Sequence, residues 1–562
     1  MAPVPFQHPL RYTPLALAGA HLALIVYLAY AVGAGLYTSY KSLGPAQDTR
    51  SRQARRKRLA PVFLTLAGTA FLIATCSSIA YTRLSYITWA YEHGLDLPGQ
   101  YDKFFYLVGE DGLISETRDS SQLYIAQWLS DTPIFEPLEI VAEKARRFWW
   151  GQQVDLATMA FSVLVAIEGR RRKIPMLPAF IALAHLVNLS FAQNLFYLAL
   201  LLTPSPLPTG QTRPTGSGDW GLPVVPLAAS EWVQHWDKLL PPKPKNWVPH
   251  PSIFGCALVL NLASISFIPY AAGTPSFTIV VLLLRLSTFL PLFLPKIVLV
   301  KWGKVHQHPH DAYDSFAKLF RFLSVAAFLL HAKATITGLI SNTPDSHYHR
   351  HSVFFPWDVE ERSKWERSTT AFGKLLGSIW DHPAVAAAGW DVLICTLSLG
   401  IWAAVRATDI QDIFRSTIPF YNHVASQAAA LVPEKEQFPK PPFIKEEPEL
   451  TDETEPEHHM TLRRRTRSGK NRGASIASSS GASEDVVLPP VRKRGRPKKT
   501  TKVEEEEKAY EPRSVEAEEL VEGDILPQEL DWDAATLAWG LAAFGGLASA
   551  TAGVFGGECI AR

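Results

Sequence analysis

Two aspartates that interrupt long apolar runs are the strongest candidates for chemistry in this 562-residue chain. Asp155 and Asp391 each follow the start of an apolar run by a few residues. A charge at membrane depth is costly, so such a residue commonly marks a functional site. A buried carboxyl can donate or accept a proton, and we predict that both are catalytic. The alternative is that each is interfacial or lies near a helix N-terminus, where a carboxylate is stabilised anyway.

A second group of polar residues lies within the apolar run from Pro178 to Leu202. At 100° per residue on a helix, His185, Asn188 and Gln193 share one broad face, while Asn194 points away. This face predicts either the lining of a substrate cavity or hydrogen bonds that only hold neighbouring helices together.

Other ionisable residues in apolar runs are Glu168, Arg285, His331 and Lys333. Together with the polar face described above, Arg285 and Lys333 are the features that would favour a channel or carrier.

Nine apolar segments of about 20 residues must position these side chains. Each is long enough to cross a bilayer as a helix, and in lipid every backbone amide must be satisfied within its own segment. The sequence therefore predicts an all-α, polytopic transmembrane helical bundle of about eight or nine spans. The segments are Pro14 to Tyr37, Leu59 to Tyr81, Trp149 to Glu168, Pro178 to Leu202, Ile253 to Tyr270, Phe277 to Leu299, Phe320 to Ile340, Ala384 to Val405 and Ala534 to Gly556.

Two short basic loops predict the orientation. Residues 50–58 and 170–173 are rich in Arg and Lys and should face the cytoplasm, which puts the N-terminus on the lumenal or exterior side. Eight alternating spans would then carry the basic C-terminal tail to the lumenal side, where such charge is unusual. Either one segment between Leu202 and Ala384 is re-entrant, or the long tail is translocated despite its charge.

The domain organisation follows from composition. Residues 1–432 form the predicted bundle, with long loops at 92–147, 203–251 and 342–383. Residues 433–530 are rich in Glu, Lys, Arg, Pro and Ser, which is typical of a disordered charged linker. Residues 531–562 form a predicted C-terminal transmembrane helix rich in Gly and Ala, which can pack closely against the bundle.

The linker contains one motif that could bind DNA. Residues 492–499 read RKRGRPKK and resemble an AT-hook, in which Arg494 and Arg496 would enter the narrow minor groove of A·T-rich DNA. A solvated polyampholyte linker, which recruits no DNA, is the alternative because acidic runs such as residues 504–507 compete for the same cations.

Several classes of function are disfavoured. The net charge of +2 gives no global field toward nucleic acid or an acidic substrate. The four cysteines are far apart, the His-rich stretches at 306–310 and 347–351 flank opposite ends of one apolar segment, and we predict neither a metal site nor a cofactor. Walker, zincin and Gly-x-Ser-x-Gly motifs are absent from the sequence, and no Rossmann fingerprint follows a strand.

Two stretches carry a resemblance to known proteins: SFAQNLFYLALLL (190–202) and WDHPAVAAAGWDVLICTLSLGIWAAVR (380–406). They resemble polytopic membrane proteins of filamentous fungi, some of them similar to membrane-bound terpene cyclases of meroterpenoid pathways. The resemblance implies protonation of a polyprenyl olefin or epoxide by a carboxylic acid, with aromatic rings stabilising the carbocation. It implies the acids Asp155 and Asp391, the polar partners His185 and Asn188, and the aromatic residues Trp149, Trp150 and Trp390.

Three functions remain open at this stage. The first is a membrane enzyme of fungal secondary metabolism that acts on a hydrophobic isoprenoid-type substrate. The second is a non-enzymatic scaffold whose tail recruits a protein partner or chromatin, and the third is a channel or carrier. In each case we expect contact with membrane lipid and a location in the endoplasmic reticulum or another endomembrane.

Overall fold

The computed structural model describes residues 10–42, 50–95, 124–172, 174–203, 244, 247–306, 311–349, 359–419, 421 and 530–561. They belong to one compact unit that comprises Met1–Ala428 and Pro512–Arg562. The predicted DNA-binding residues Arg494 and Arg496, the rest of the motif at 492–499, and nearly all of the predicted linker lie outside the described residues.

The described part of the chain is mostly helical. Two short antiparallel strand pairs accompany the helices: β1 (Trp247–Pro249) with β2 (Gly303–Val305), and β3 (His347–His349) with β4 (Val359–Glu361). The helices are α1 (Tyr12–Ser42), α2 (Arg50–Glu92), α3 (Ile125–Asp131), α4 (Glu136–Glu143), α5 (Ala145–Leu164), α6 (Leu177–Leu186), α7 (Leu189–Leu202), α8 (Pro251–Ala271), α9 (Phe277–Ser287), α10 (Leu290–Ile297), α11 (Asp311–Asn342), α12 (Lys364–Gly377), α13 (Pro383–Arg406), α14 (Ile410–Thr417), α15 (Trp532–Gly545) and α16 (Leu547–Ala561).

The predicted predominance of helix is confirmed, and each of the nine apolar segments is helical. Within the described residues, α1, α2, α8, α11 and α13 are long and apolar enough to cross a membrane. The pair α9 and α10 adds a sixth candidate if its two helices, bent by 62°, form one span.

Three of the predicted helices are broken. The segment from Pro178 to Leu202 divides into α6 and α7 because Asn188 adopts extended backbone angles (φ −167°, ψ 164°). Its Oδ1 accepts a hydrogen bond from the amide of Phe191 at 3.0 Å, which caps α7. The other breaks lie between α9 and α10 and at Gly546 (φ 81°) between α15 and α16.

The helices α6 and α7 form a hairpin, so the end of α7 lies at the same end of the bundle as the start of α6. Arg172, just before α6, donates hydrogen bonds from Nη1 to the carbonyls of Leu200 (3.0 Å) and Thr203 (2.6 Å), at the end of α7. The start and the finish of this segment therefore lie side by side. This corrects the expectation of one continuous helix, because the chain reverses at Val187 and Asn188.

The C-terminal segment forms a second hairpin of the same kind. The amide of Asp531, just before α15, donates to the carbonyl of Ala404 at 3.1 Å. Glu558, near the end of α16, lies 3.8 Å from Arg406 and accepts a hydrogen bond from the indole of Trp402. Both ends of the hairpin thus meet the end of α13, in place of the predicted single C-terminal helix.

Side-chain contacts identify which helix ends lie together. At one end, here called the Arg146 end, Arg146 donates to Asp381 at 2.7 Å and to Asn342 at 3.5 Å. At the opposite end, here called the Arg172 end, the phenol of Tyr313 donates to Glu168 at 2.9 Å, and Glu168 pairs with Arg172 at 3.4 Å. Glu168, which lies in a π-helical turn after α5, therefore belongs to a buried structural ion pair.

The Arg172 half of the bundle is filled with aromatic side chains. Tyr197 of α7 stacks on Trp402 of α13 with ring centroids 4.5 Å apart, and the ring of Phe63 meets both edge-on. Phe161 and Phe196 extend this packing. These side chains are fully buried, so the half-bundle is close-packed between the two hairpins.

Candidate functional site

A cavity of about 270 Å³ lies in the other half of the bundle, toward the Arg146 end. It is enclosed by α2, α4, α5, α8, α9, α13 and the tip of the α6–α7 hairpin. Four residues predicted from the sequence contribute to its lining, namely Asp155, His185, Asn188 and Asp391. Arg285, which the sequence marks as an ionisable residue in an apolar run, lines it as well.

Most of the exposed lining is apolar, and the polar groups come from several of the surrounding helices. Residues such as Val141, Leu138, Ile268, Val281 and Leu284 supply aliphatic surface. A mostly apolar cavity with a few convergent polar groups is the usual form of a site for a small hydrophobic ligand.

Asp391 is anchored by the backbone of α7. Its two carboxylate oxygens accept hydrogen bonds from the amides of Leu189 (3.0 Å) and Ser190 (2.7 Å), at the N-terminus of that helix. A carboxylate at a helix N-terminus satisfies free amide groups and is favoured by the helix dipole. The arrangement matches the structural alternative for Asp391, although the helix that it caps comes from another part of the chain.

Asn188 is committed to structure in the same way. Besides capping α7, its Nδ2 donates to the carbonyl of Ala70 in α2 at 3.1 Å. This bond fixes the hairpin tip against the middle of α2. Asn188 thus shapes the wall of the cavity while its side-chain oxygen and nitrogen are both engaged.

Asp155 differs from Asp391 in its surroundings. Among the described residues, no hydrogen-bond partner is found for its carboxyl group, which lies on α5 and faces the cavity. Its charge interacts with that of Arg285, although no N···O distance between the two is 4.0 Å or less. The Asp155 carboxyl is therefore available to a ligand.

Arg285 and His185 line the same cavity as Asp155. The Arg285 guanidinium lies over the ring of Phe135, 5.6 Å from its centroid. The hydroxyl of Thr288 donates to the Arg285 carbonyl at 2.7 Å and lies 2.8 Å from Nε2 of His185. Since that hydroxyl proton is already used, Nε2 must be the donor, which leaves Nδ1 of neutral His185 as an acceptor.

The three tryptophans implied by the resemblance lie outside the cavity lining. The indole of Trp149 donates to Thr335 at 2.8 Å, and that of Trp150 donates to Ser378 at 3.2 Å. Trp390 meets Trp380 edge-on at 6.4 Å. Their contact with a substrate remains a prediction.

Different aromatic rings line the cavity, and sequence reasoning missed them. They are Tyr81, Phe148 and Phe277. The hydroxyl of Tyr81 donates to Glu136 at 2.7 Å, so its ring is held in place at the Arg146 end of the cavity. No sequence signal separates these rings from the many aromatic residues that only fill the bundle.

The two His-rich stretches, where we predict no metal site, are described only in part. His306 and His347 are described, whereas His308, His310 and His351 are not. Within the described ranges, no group of three His, Cys, Asp or Glu side chains is placed to hold a metal ion.

Comparison with known proteins returned no match to a family model, to a curated protein or to a solved structure.

Proposed function

We propose that the chain crosses a membrane seven times and carries two re-entrant hairpins. The crossings would be α1, α2, α5, α8, the bent pair α9–α10, α11 and α13, and the hairpins α6–α7 and α15–α16 would enter from the Arg172 end. Arg172 and Thr203 are in contact, which brings the two ends of the first hairpin together. The two ends of the second hairpin both meet the end of α13, through Asp531 with Ala404 and Glu558 with Arg406. The basic residues 55–58 and 170–172 then face the cytoplasm, together with both ends of the tail.

This topology removes the conflict between span count and charge. With seven crossings, the basic tail lies on the same side as the basic loops, so neither a translocated tail nor a re-entrant α9–α10 pair is needed. A tag near residue 480 should be cleaved when intact microsomes are treated with protease, and protection of the tag would contradict the topology.

A glycosylation experiment tests the first hairpin directly. An N-glycosylation acceptor placed within 210–220 should stay unmodified, because a re-entrant hairpin leaves that loop in the cytoplasm. The same acceptor placed within 105–115, which precedes α3, should be modified in the lumen and serves as the control. Modification at 210–220 would mean that the segment crosses the membrane.

We propose further that the protein is a membrane enzyme that acts on a hydrophobic, isoprenoid-type substrate in the cavity, with Asp155 as the general acid. The observation that carries this proposal is a carboxyl without a described hydrogen-bond partner in a mostly apolar cavity. Asp155 would protonate an olefin or epoxide of the substrate, and the rings of Phe148 and Phe277 would stabilise the carbocation that forms.

The neighbours of Asp155 suit the two proton transfers. Arg285 stabilises the carboxylate that remains after Asp155 has donated its proton. Nδ1 of His185 can accept a proton from the cation, which ends the reaction as an isomerisation with no net change in protons or electrons. A proton passed back to Asp155 through water then completes the cycle.

The close-packed half of the bundle favours an enzyme over a channel or carrier. Below the cavity, Tyr197, Trp402 and Phe63 pack ring against ring in the described structure. The cavity therefore ends within the bundle, as suits a substrate that enters and leaves from one side.

The test uses the full chain in microsomes with farnesol and a farnesyl epoxide as probes, and products are separated by gas chromatography with mass detection. We expect a cyclised product whose rate falls about 100-fold or more in Asp155→Asn. Asp314→Asn, a change of an exposed aspartate on α11, is the matched control and should keep the rate. Equal product formation by Asp155→Asn and the unsubstituted chain would refute the assignment of Asp155, and no product from either probe would count against the substrate class.

A further inference from the structure

An exposed segment at the Arg172 end combines apolar side chains with lysines. It runs from the end of α10 through β2, and we call residues 293–305 the basic strap. Five of its large apolar side chains are between 42% and 62% accessible. These side chains are Phe293, Ile297, Leu299, Trp302 and Val305. Several exposed apolar side chains in one short segment commonly mark a surface that binds a partner or a membrane.

The charge of the basic strap has one sign. Lys296, Lys301 and Lys304 are exposed, and no acidic residue occurs in the sequence from Pro291 to His306. A segment that exposes both apolar and cationic side chains fits the boundary between the acyl chains and the headgroups of a bilayer. Trp302 suits the same boundary, where tryptophan is enriched.

The basic strap is held in a fixed position. The indole of Trp247 donates to the carbonyl of Val300 at 3.0 Å, and its ring packs on Gly303, where a Cβ atom would collide with it. Arg170 donates a hydrogen bond to the carbonyl of Leu292, just before the strap. Arg170 and Arg172, which lie close by, are bound to carbonyl groups within the protein.

We propose that the basic strap binds the headgroups of anionic phospholipids in the cytoplasmic leaflet. Positive charge on the strap complements the negative potential of that leaflet, and its apolar side chains enter the adjoining acyl region. The proposal rests on the membrane topology given above and is independent of the reaction in the cavity.

The test is a titration of the purified full chain in neutral detergent with dioleoyl phosphatidylserine or dioleoyl phosphatidylcholine, with bound lipid counted by native mass spectrometry. We expect tighter binding of phosphatidylserine. The triple variant Lys296→Gln, Lys301→Gln, Lys304→Gln should weaken phosphatidylserine binding by about 100-fold, or about fivefold for each lysine, and leave phosphatidylcholine binding unchanged.

The matched control removes three exposed lysines from the Arg146 end. Lys144→Gln, Lys364→Gln and Lys374→Gln together lower the net charge by the same amount and should preserve the preference for phosphatidylserine. Equal binding of the two lipids by the unsubstituted chain, or equal losses in the two triple variants, would overturn the proposal. Tight binding of soluble glycerophosphoserine would also overturn it, because the site would then recognise a free headgroup without a lipid surface.

Discussion

Replacement of Asp391 by Asn should destabilise the fold more than the same replacement at Asp155. Asp391 accepts hydrogen bonds from the amides of Leu189 and Ser190 with its two oxygens. An asparagine retains one acceptor and presents an NH₂ group to the other amide. One buried amide is then unpaired, and the negative charge at the N-terminus of α7 is lost.

The expected loss follows from these two changes. A buried donor without a partner costs about 1–3 kcal/mol, and a charge at a helix N-terminus contributes up to about 2 kcal/mol in a buried setting. We therefore expect Asp391→Asn to lower the free energy of unfolding by about 3 kcal/mol, or Tm by roughly 2–3 °C for a chain of this size. Asp155→Asn removes no described hydrogen bond, but it leaves the charge of Arg285 without the carboxylate that compensates it. We therefore expect a smaller loss than in Asp391→Asn, about 1–2 kcal/mol.

The assay is thermal unfolding of the purified full chain in one detergent, followed by intrinsic tryptophan fluorescence, with Asp314→Asn as the control for removal of an exposed charge. A Tm of Asp391→Asn equal to that of the unsubstituted chain would refute the assignment of Asp391 to the cap of α7. A large loss of Tm in Asp155→Asn would show that the Asp155 carboxyl stabilises the fold beyond the interactions described around the cavity.

Three other changes test the hairpins and the start of α13. Glu558→Gln should cost about 1–3 kcal/mol, because it removes the carboxylate charge that lies 3.8 Å from Arg406; a Tm equal to the unsubstituted value would contradict this ion pair. Gly546→Ala should lower Tm by several degrees, since φ is +81° and a Cβ would lie 2.7 Å from the His331 ring; a neutral effect would argue against the tight turn. His382 caps α13 with an unprotonated ring nitrogen, and burial and then the charge of a nearby arginine lower its pKa. The contribution of this cap to stability is therefore present above pH 6.5 and declines as the pH falls below that value. His382→Asn keeps a capping acceptor without titration, and Tm measured from pH 8 to 5 should vary less in this variant; an unchanged pH dependence would exclude His382 as its source.

Much of the architecture could be predicted from apolar run length alone. All nine runs are helical, because a sequence of about 20 apolar residues can satisfy its backbone in no simpler way. The direction of the chain within a run could not be predicted, since one crossing helix and two antiparallel half-helices contain the same number of apolar residues. Two local features mark the breaks: Asn188, which is a favourable residue for a helix N-cap, and the pair Gly545–Gly546. Both features also occur within unbroken helices, so neither predicts a reversal of the chain.

The candidate site was predictable residue by residue but not as an arrangement. Asp155, His185, Asn188 and Asp391 each attract attention as polar groups in apolar runs, and they meet at one cavity. Their roles depend on partners far away in the sequence, as in the bonds between Asp391 and α7. Periodicity carries no information about such pairs, so the two aspartates looked alike in the sequence.

The hairpin tip explains why the two aspartates differ. A helix that begins inside an apolar bundle exposes free amide groups, which in lipid have no water to pair with. Asp391 satisfies the amides of Leu189 and Ser190, so each of its oxygens already has a partner within the protein, and a catalytic role for it stays a prediction. Among the described residues that line the cavity, we therefore assign proton exchange with a ligand to Asp155, whose charge interacts with that of Arg285.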